Sequence, residues 1–329
     1  MKMWFRPVKG IAFCIVAAFF GGQAMAQVQA KRSFPSAKRI SAFDNTTFCT
    51  AFLSDGSLLT IRDIPIVDLR DVDKIAFNPT GSSLALMRGK KPVSIYSFRD
   101  RNKKLFELKE QRKSKELKGR KNLNFFVPGP VGAELMKDAS KGDIVPVAMC
   151  YGADARNFLV SNSLGEIIVY DTKAYLPQAY IQGKAVATAI TMSPNNYFIA
   201  AGTGKNIDIW NFQTKELRTS LPMPAEVTEL VFSADASQMA VVTADKRLTI
   251  FDTKTWDKVD IFDKIGGTLT SPSFHPDGKY ISVVKDGNAI VIMNLKNSVP
   301  EQTLDENPGG VTGSRFFVNK QTSDVFMLS

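Results

Sequence analysis

Residues 227–235 read Val227-Thr228-Glu229-Leu230-Val231-Phe232-Ser233-Ala234-Asp235, and an apolar run, a polar turn and Leu248-Thr249-Ile250-Phe251-Asp252 follow them. The same pattern returns as Leu269-Thr270-Ser271-Pro272-Ser273-Phe274-His275-Pro276-Asp277-Gly278, a second apolar run, a turn and Ile290-Val291-Ile292-Met293-Asn294. Short β-branched and aromatic runs separated by Asp, Gly, Asn and Pro are typical of strands joined by tight turns. The stretch therefore predicts two successive units of antiparallel strands.

A third copy precedes these two and begins at Thr188-Ala189-Ile190-Thr191-Met192-Ser193-Pro194. The equivalent turn positions Pro194, Ala234 and Pro276 are spaced by 40 and 42 residues. A period of about 40 to 45 residues with four strands per unit is the sequence signature of propeller blades. We therefore predict an all-β fold, a β-propeller of four-stranded blades.

The repeat resembles the WD40 family and the related YVTN-type propellers. The family's Phe-x-Pro-Asp-Gly turn is matched by residues 274–278 and less completely by residues 77–81, 192–194 and 232–235. Its Trp-Asp position at the end of the third strand is matched by Trp210-Asn211, Tyr170-Asp171, Phe251-Asp252 and Met293-Asn294. The Gly-His dipeptide of the family is absent. The resemblance implies a propeller blade for each copy.

The N-terminal 26 residues read as a secretory signal peptide, followed by a single propeller domain over residues 27–329. Lys2, Arg6 and Lys9 precede an apolar core, and Ala24-Met25-Ala26 is a small-x-small cleavage site. The apolar core is shorter than the roughly 20 residues that span a bilayer, so we expect cleavage and no transmembrane segment. We therefore expect an exported protein, periplasmic or extracellular in the cell envelope, of bacterial origin.

The two ends of the chain are predicted to share one blade. Residues 48–61 read as third and fourth strands, whereas residues 311–317 and 324–328 read as first and second strands. Strands from both termini would close the ring and remove free sheet edges. This alignment gives six blades, and treating residues 40–61 as a separate blade gives seven.

The positive charge of the chain is concentrated in an insertion over residues 99–143. Residues 99–121 contain eleven basic and four acidic side chains. A solvated loop accounts for this composition, and so does an electrostatic site for a polyanion. Nucleic acid is a poor fit, because Phe106 is the one aromatic residue within 99–121 that could stack on bases.

The insertion is expected to emerge on the same propeller face as the turns between second and third strands. Basic side chains of those turns and of the insertion form the predicted binding face, which consists of Arg88, Lys90, Lys91, Lys113, Lys115, Lys205, Lys246, Arg247 and Lys285. We expect its partner to be another protein or an anionic envelope polymer.

The sequence contains no pattern typical of a catalytic, metal or cofactor site, and we predict no catalytic residue and no cofactor. The one histidine, His275, occupies a turn position that Asn78, Ser193 and Ser233 fill in other copies. Asp208 alternates with Ile207 and Ile209, which predicts an outward-facing side chain. Cys49 and Cys150, the two cysteines after the leader, lie in apolar strands and are expected to be buried without forming a disulfide.

The aromatic side chains at the Trp-Asp position, Tyr96, Tyr170, Trp210 and Phe251, recur once per copy. This recurrence favours a packing layer between blades over a sugar-binding set. The sequence thus favours an interaction scaffold. The alternative is a small-molecule or carbohydrate enzyme with a carboxylate or divalent-cation site on the propeller axis, a class that the fold also hosts.

Overall fold

The structure of the protein is a computed structural model that describes residues 15–18, 49–52, 58–61, 72–80, 82–97, 104–108, 125–126, 144–305, 315–318 and 325–328. Five sheets, A to E, follow one another along the chain, and each contains four consecutive antiparallel strands, to which sheet B adds a fifth strand. The predicted all-β fold and the predicted four-stranded repeat are confirmed. The number of blades and the closure of a ring remain predictions.

The strands have the following bounds. Three strands precede the repeat: β1 (Ile15–Ala18), β2 (Cys49–Phe52) and β3 (Leu58–Ile61). Sheet A consists of β4 (Lys74–Phe77), β5 (Ser83–Met87), β6 (Val93–Ser97) and β7 (Lys104–Leu108). Sheet B consists of β8 (Phe125–Phe126), β9 (Pro146–Tyr151), β10 (Asn157–Asn162), β11 (Glu166–Asp171) and β12 (Pro177–Gln182). Sheet C consists of β13 (Ala189–Met192), β14 (Phe198–Gly202), β15 (Asn206–Asn211) and β16 (Leu217–Pro222). Sheet D consists of β17 (Val227–Phe232), β18 (Gln238–Thr243), β19 (Arg247–Asp252) and β20 (Lys258–Phe262). Sheet E consists of β21 (Leu269–Phe274), β22 (Tyr280–Lys285), β23 (Ala289–Asn294) and β24 (Val299–Leu304). The last two strands are β25 (Arg315–Val318) and β26 (Val325–Leu328).

The first strands of successive sheets contact one another in the order β4, β9, β13, β17, β21 and β25. In sheets B to E the second and third strands are buried along most of their length, whereas the fourth strands β16, β20 and β24 are largely exposed. Neighbouring sheets cover both faces of the middle strands, and this explains why those strands are continuous apolar runs rather than alternating ones. The first strands therefore lie toward a common axis and the fourth strands lie at the periphery.

The hydrophobic core is divided into layers between neighbouring sheets. Trp210 of sheet C packs with sheet B residues, and Phe251 of sheet D packs with sheet C residues. Tyr170 of sheet B likewise packs with sheet A residues. Side chains at the Trp-Asp position thus lie against the preceding sheet, and the predicted inter-blade packing layer is confirmed for these three residues.

The second residue of the Trp-Asp position closes the loop into the fourth strand. The Oδ1 atom of Asp171 accepts the N–H groups of Lys173 and Ala174 at 3.0 and 2.8 Å. Asn211, Asp252 and Asn294 accept loop N–H groups in the same way. Asp and Asn recur at this position because a short side-chain oxygen satisfies backbone donors that the turn leaves unpaired.

The terminal sheet differs from the prediction. Strands β25 and β26 form the expected antiparallel hairpin, but the other neighbour of β26 is β1 rather than β2. Strands β2 and β3 pair with each other in a separate two-stranded sheet. An edge strand exposes unpaired backbone groups that any apolar strand can satisfy. The prediction assigned residues 15–18 to the leader and so did not consider them as a partner.

Two short strands are described within the predicted insertion over residues 99–143. Strand β7 completes sheet A, as expected for residues 105–108. Strand β8 pairs in parallel with the outer strand β12, through Phe125 opposite Tyr180 and Phe126 opposite Ile181. The insertion therefore returns to the outer edge of sheet B, a placement that the charge pattern did not predict. The remainder of the insertion lies outside the described residues.

Candidate functional site

One face of the molecule is formed by the turns between second and third strands, packed against the links that enter the first strands. The N–H groups of Met223, in the link after sheet C, and of Val227, the first residue of β17, donate to the carbonyls of Lys205 and Gly204 at 2.8 Å each. Ala244 and Asp286 of the next two turns donate to carbonyls of their links in the same way. We call this surface the turn face. Its turns are held in place by backbone hydrogen bonds.

Five of the nine predicted binding residues lie in these turns, and two more, Arg247 and Lys285, lie at the strand ends next to them. Lys90, Lys91, Lys205 and Lys246 are exposed, and Arg88, Arg247 and Lys285 are half-buried. Arg247 forms an ion pair with Asp245 at 3.3 Å, so part of its charge is neutralised. Lys113 and Lys115 lie outside the described residues. The role of this set in binding remains a prediction.

The turns between first and second strands lie on the opposite face, together with the loops between third and fourth strands. Thr172 donates from its N–H to the carbonyl of Arg156, and Phe212 and Thr253 repeat this bond to Tyr197 and Ser237. Lys173, Lys254, Lys279 and Lys296 are exposed on this face. They provide matched controls for the lysines of the turn face.

A polar group that the sequence analysis did not identify lies between the first strands. The Nζ atom of Lys74, in β4, donates to the carbonyl oxygens of Val147 and Thr188, each at 3.2 Å. These two acceptors belong to β9 of sheet B and to the link that enters sheet C. Lys74 of sheet A thus contacts backbone groups of sheet B and of the link into sheet C. These contacts lie at the end of the first strands that is nearest the turn face.

A carboxylate from β17 completes this group. The Oε2 atom of Glu229 accepts the backbone N–H of Ser271, in β21, at 2.9 Å. Both strands depart from regular pairing here, between Val227 and Glu229 and between Thr270 and Ser273. Ser271 has a φ of 52° and precedes Pro272, a strained conformation for a residue other than glycine. Bulges and backbone strain are concentrated at functional positions in proteins.

We call Lys74, Glu229, Ser271 and the carbonyls of Val147 and Thr188 the axial site. Burial lowers the pKa of Lys74, and the charges of Glu229 and Asp73 oppose this effect. Burial raises the pKa of Glu229, whereas the Ser271 N–H and the charge of Lys74 act in the opposite direction. In both cases desolvation is the largest cause of the shift in pKa, although Lys74 is exposed to solvent and Glu229 is half-buried. Groups with this property are candidates for function.

The register of the repeat contained a signal for the axial site. Glu229 and Ser271 are 42 residues apart, which is the spacing between Ala234 and Pro276. Lys74 occupies the corresponding place in β4, because Asn78, four residues later, bonds to Ser83 as Ser233 bonds to Gln238. When the first strands are aligned by their pairing register, Lys74, Glu229 and Ser271 occupy equivalent positions, four residues before the turn residue of each copy.

The prediction for His275 is confirmed. Its N–H donates to the Tyr280 carbonyl at 2.8 Å, as those of Asn78, Ser193 and Ser233 do in their own turns. Its buried ring contacts Phe316 at 5.1 Å between centroids, and its Nδ1 atom lies 2.6 Å from an Asp277 carboxylate oxygen. Burial lowers the pKa of His275, whereas Asp277 acts to raise it. His275 is a structural turn residue.

The prediction for Asp208 is wrong. Its side chain is 2% exposed, because neighbouring sheets cover both faces of the third strand. The carboxylate accepts the hydroxyl of Ser220 at 2.5 Å and that of Thr203 at 3.3 Å. Asp208 therefore contributes to the interior between sheets rather than to a surface site.

The described residues contain no cluster of three or more His, Cys, Asp or Glu side chains that could hold a metal ion. The axial site provides one carboxylate and one ammonium group. Cys150 is a free thiol packed against the core between sheets B and C, and burial raises its pKa to about 12. The residue is half-buried rather than fully buried as predicted, and its thiol is unbridged. The Cys49 side chain lies outside the described residues.

Replacing Glu229 with glutamine tests the electrostatics of the axial site. Because burial raises its folded-state pKa, the ionised carboxylate disfavours folding at a pH above its unfolded pKa. We expect the stability of Glu229→Gln relative to the parent to increase as the pH rises through the folded pKa. Urea midpoints between about pH 4 and 8 measure this difference. Glu226→Gln, in the exposed link three residues away, is the matched control, and a pH-independent difference for Glu229→Gln would contradict the assignment.

Comparison with known proteins supports the repeat resemblance. No protein-family model matches the chain. The chain is 29% identical over 132 residues to a periodic tryptophan protein 2 homolog of Dictyostelium discoideum, a match that covers 33% of this chain and 14% of that protein. It is 24% identical over 145 residues to the homolog of Schizosaccharomyces pombe, covering 43% of this chain and 17% of that protein. The chain thus spans less than a fifth of these curated relatives.

Both relatives are WD40-repeat proteins, and the four-stranded antiparallel sheets agree with that repeat. Within the ranges that the structure describes, no helix has the length and apolar character needed to cross a membrane. The similarity and the sheets together support a WD40-like repeat for this chain.

Proposed function

We propose that the protein is a scaffold that binds another protein through the turn face. The observation that carries this proposal is the set of exposed lysines on turns of sheets A, C and D, all on one face and held by hydrogen bonds to the inter-sheet links. A rigid surface of this kind loses little conformational entropy on binding. The similarity to WD40-repeat proteins supports a protein partner.

The charge of the turn face favours an acidic surface on that partner. Complementary charges on two proteins accelerate their association and favour one relative orientation. Ion pairs between exposed side chains weaken as the salt concentration is raised. An anionic envelope polymer would meet the same side chains and would give the same salt dependence. The leader-like residues 1–26 support export to the periplasm or the cell surface, where such a polymer occurs.

Charge reversal on the turn face tests the proposal. We expect Lys90→Glu, Lys91→Glu, Lys205→Glu and Lys246→Glu, combined in one variant, to abolish crosslinked capture of the partner from intact cells. The matched control reverses Lys173, Lys254, Lys279 and Lys296 on the opposite face and changes the net charge equally. Mass spectrometry identifies the captured macromolecule.

Equal loss of capture in both variants would show that net charge matters and the turn face does not. Capture that survives both variants would contradict the proposal. A version without residues 110–143 separates the contribution of the insertion from that of the turns. Circular dichroism confirms that each variant is folded before the comparison is made.

A further inference from the structure

Among the residues that the structure describes, one hydrogen-bond donor and one acceptor of the axial site have no protein partner. An ammonium group has three N–H donors, and Lys74 directs two of them to the carbonyls of Val147 and Thr188. Glu229 uses Oε2 to accept the Ser271 N–H. Within the described residues, the third N–H of Lys74 and the Oε1 atom of Glu229 have no hydrogen-bond partner.

Lys74 and Glu229 carry opposite charges and are linked through Thr188, whose carbonyl accepts from Lys74 at 3.2 Å and whose hydroxyl lies 3.4 Å from the carbonyl of Val227, two residues before Glu229. No direct ion pair joins the two charges among the described residues. Each is instead held by backbone groups of another sheet, so the two charges are fixed on separate strands. The arrangement therefore has a positive end and a negative end. A molecule that spans them needs an anionic group and a cationic group.

We propose that the axial site binds a small zwitterion, whose carboxylate accepts from Lys74 and whose ammonium group donates to Glu229. Hydrogen bonds between ionised groups are about twice as strong as neutral ones. Glu229 is half-buried, which strengthens its bond further, whereas Lys74 is exposed. The zwitterion neutralises both charges at once. This binding function is independent of the capture of a protein by the turn face.

Other ligand classes match the axial site less well. A phosphate or another simple anion would be attracted by Lys74 and repelled by Glu229. A simple cation would be attracted by Glu229 and repelled by Lys74. The described residues also supply no carboxylate cluster for a divalent ion. A neutral amide could bridge the two groups but would leave both charges uncompensated. Binding by a zwitterion is therefore the match that uses every feature of the site.

The experiment measures binding of a series of ω-amino acids by the full-length protein. Glycine, β-alanine and 4-aminobutyrate carry the same two charges at increasing separations, so the series measures the distance between the two ends of the site. We expect at least one member to give a saturable titration by calorimetry and to raise the melting temperature. Acetate and methylamine, each of which carries one of the two charges, are expected to bind at least about tenfold more weakly, because each forms one of the two charge-assisted bonds.

Two variants locate the binding. Lys74→Met and Glu229→Gln should each weaken the best zwitterion by about tenfold or more, since each removes one charge-assisted bond. Lys184→Met and Glu226→Gln change exposed charges of the neighbouring links and should leave the affinity unchanged. Melting curves establish that all four variants fold.

Three results would overturn the proposal: no member of the series binds, acetate or methylamine binds as tightly as the best zwitterion, or the affinity survives both axial substitutions. Partner capture by the turn face is measured separately, so loss of one function does not imply loss of the other.

Discussion

Replacing Phe251 with alanine is expected to destabilise the protein by about 3–5 kcal/mol, the usual cost of removing a buried phenylalanine from a packed core. Phe251 is 1% exposed and packs in the layer between sheets C and D. Phe198 and Trp256 of the same layer contact each other edge to face at 5.1 Å, so the surrounding rings have little freedom to fill the cavity. Urea unfolding followed by fluorescence measures the loss.

Val259→Ala is the control for this prediction. Val259 lies on the outer strand of sheet D and is 54% exposed, so its truncation should change stability by no more than about 0.5 kcal/mol. Similar losses for both variants would mean that the apolar layers between sheets do not dominate the stability of the repeat.

Replacing Gly202 with alanine is expected to destabilise the protein by about 1–3 kcal/mol through overpacking. A Cβ atom at residue 202 would lie 2.6 Å from Val227 Cγ1 and 2.8 Å from Val227 Cβ. Val227 is 2% exposed and begins the first strand of sheet D, so the missing side chain lets two sheets approach closely. Thermal and urea unfolding of Gly202→Ala measure the effect.

A double-mutant cycle with Val227→Ala tests the mechanism. The smaller side chain relieves most of the conflict, so the double variant should lose less stability than the sum of the two single variants. We expect a coupling of about 0.5–3 kcal/mol, the range for residues in direct contact. Strictly additive losses would show that Gly202 is required for backbone flexibility and not for the approach of Val227.

The repeat was predictable because its signals are local. Apolar runs and turn residues mark each strand, and His275 could be placed in a turn because Asn78, Ser193 and Ser233 fill the same position. Asp208 was misplaced for the opposite reason. Alternation predicts an exposed face, but here a neighbouring sheet covers the third strand on each side and buries both faces.

The axial site was not predicted, since Lys74 and Glu229 are far apart in the chain and each resembles an ordinary polar residue of a first strand. An alignment of the copies by strand register places Lys74 and Glu229 at equivalent positions of their first strands. The hydrogen bonds of Lys74 to Val147 and Thr188 depend in addition on the convergence of first strands from several sheets. No pattern within one copy contains that information.

The amino-acid pattern alone specifies the strands, the turns and the packing positions of each four-stranded unit, because these depend on contacts within about 40 residues of chain. The tertiary arrangement determines which strand covers β26, where β8 returns to the outer edge of sheet B, and how Lys74 and Glu229 come to share one site. These features depend on which of several distant segments pairs with a given strand edge or meets another at the first strands. The strand propensity of a segment does not determine which of them does so.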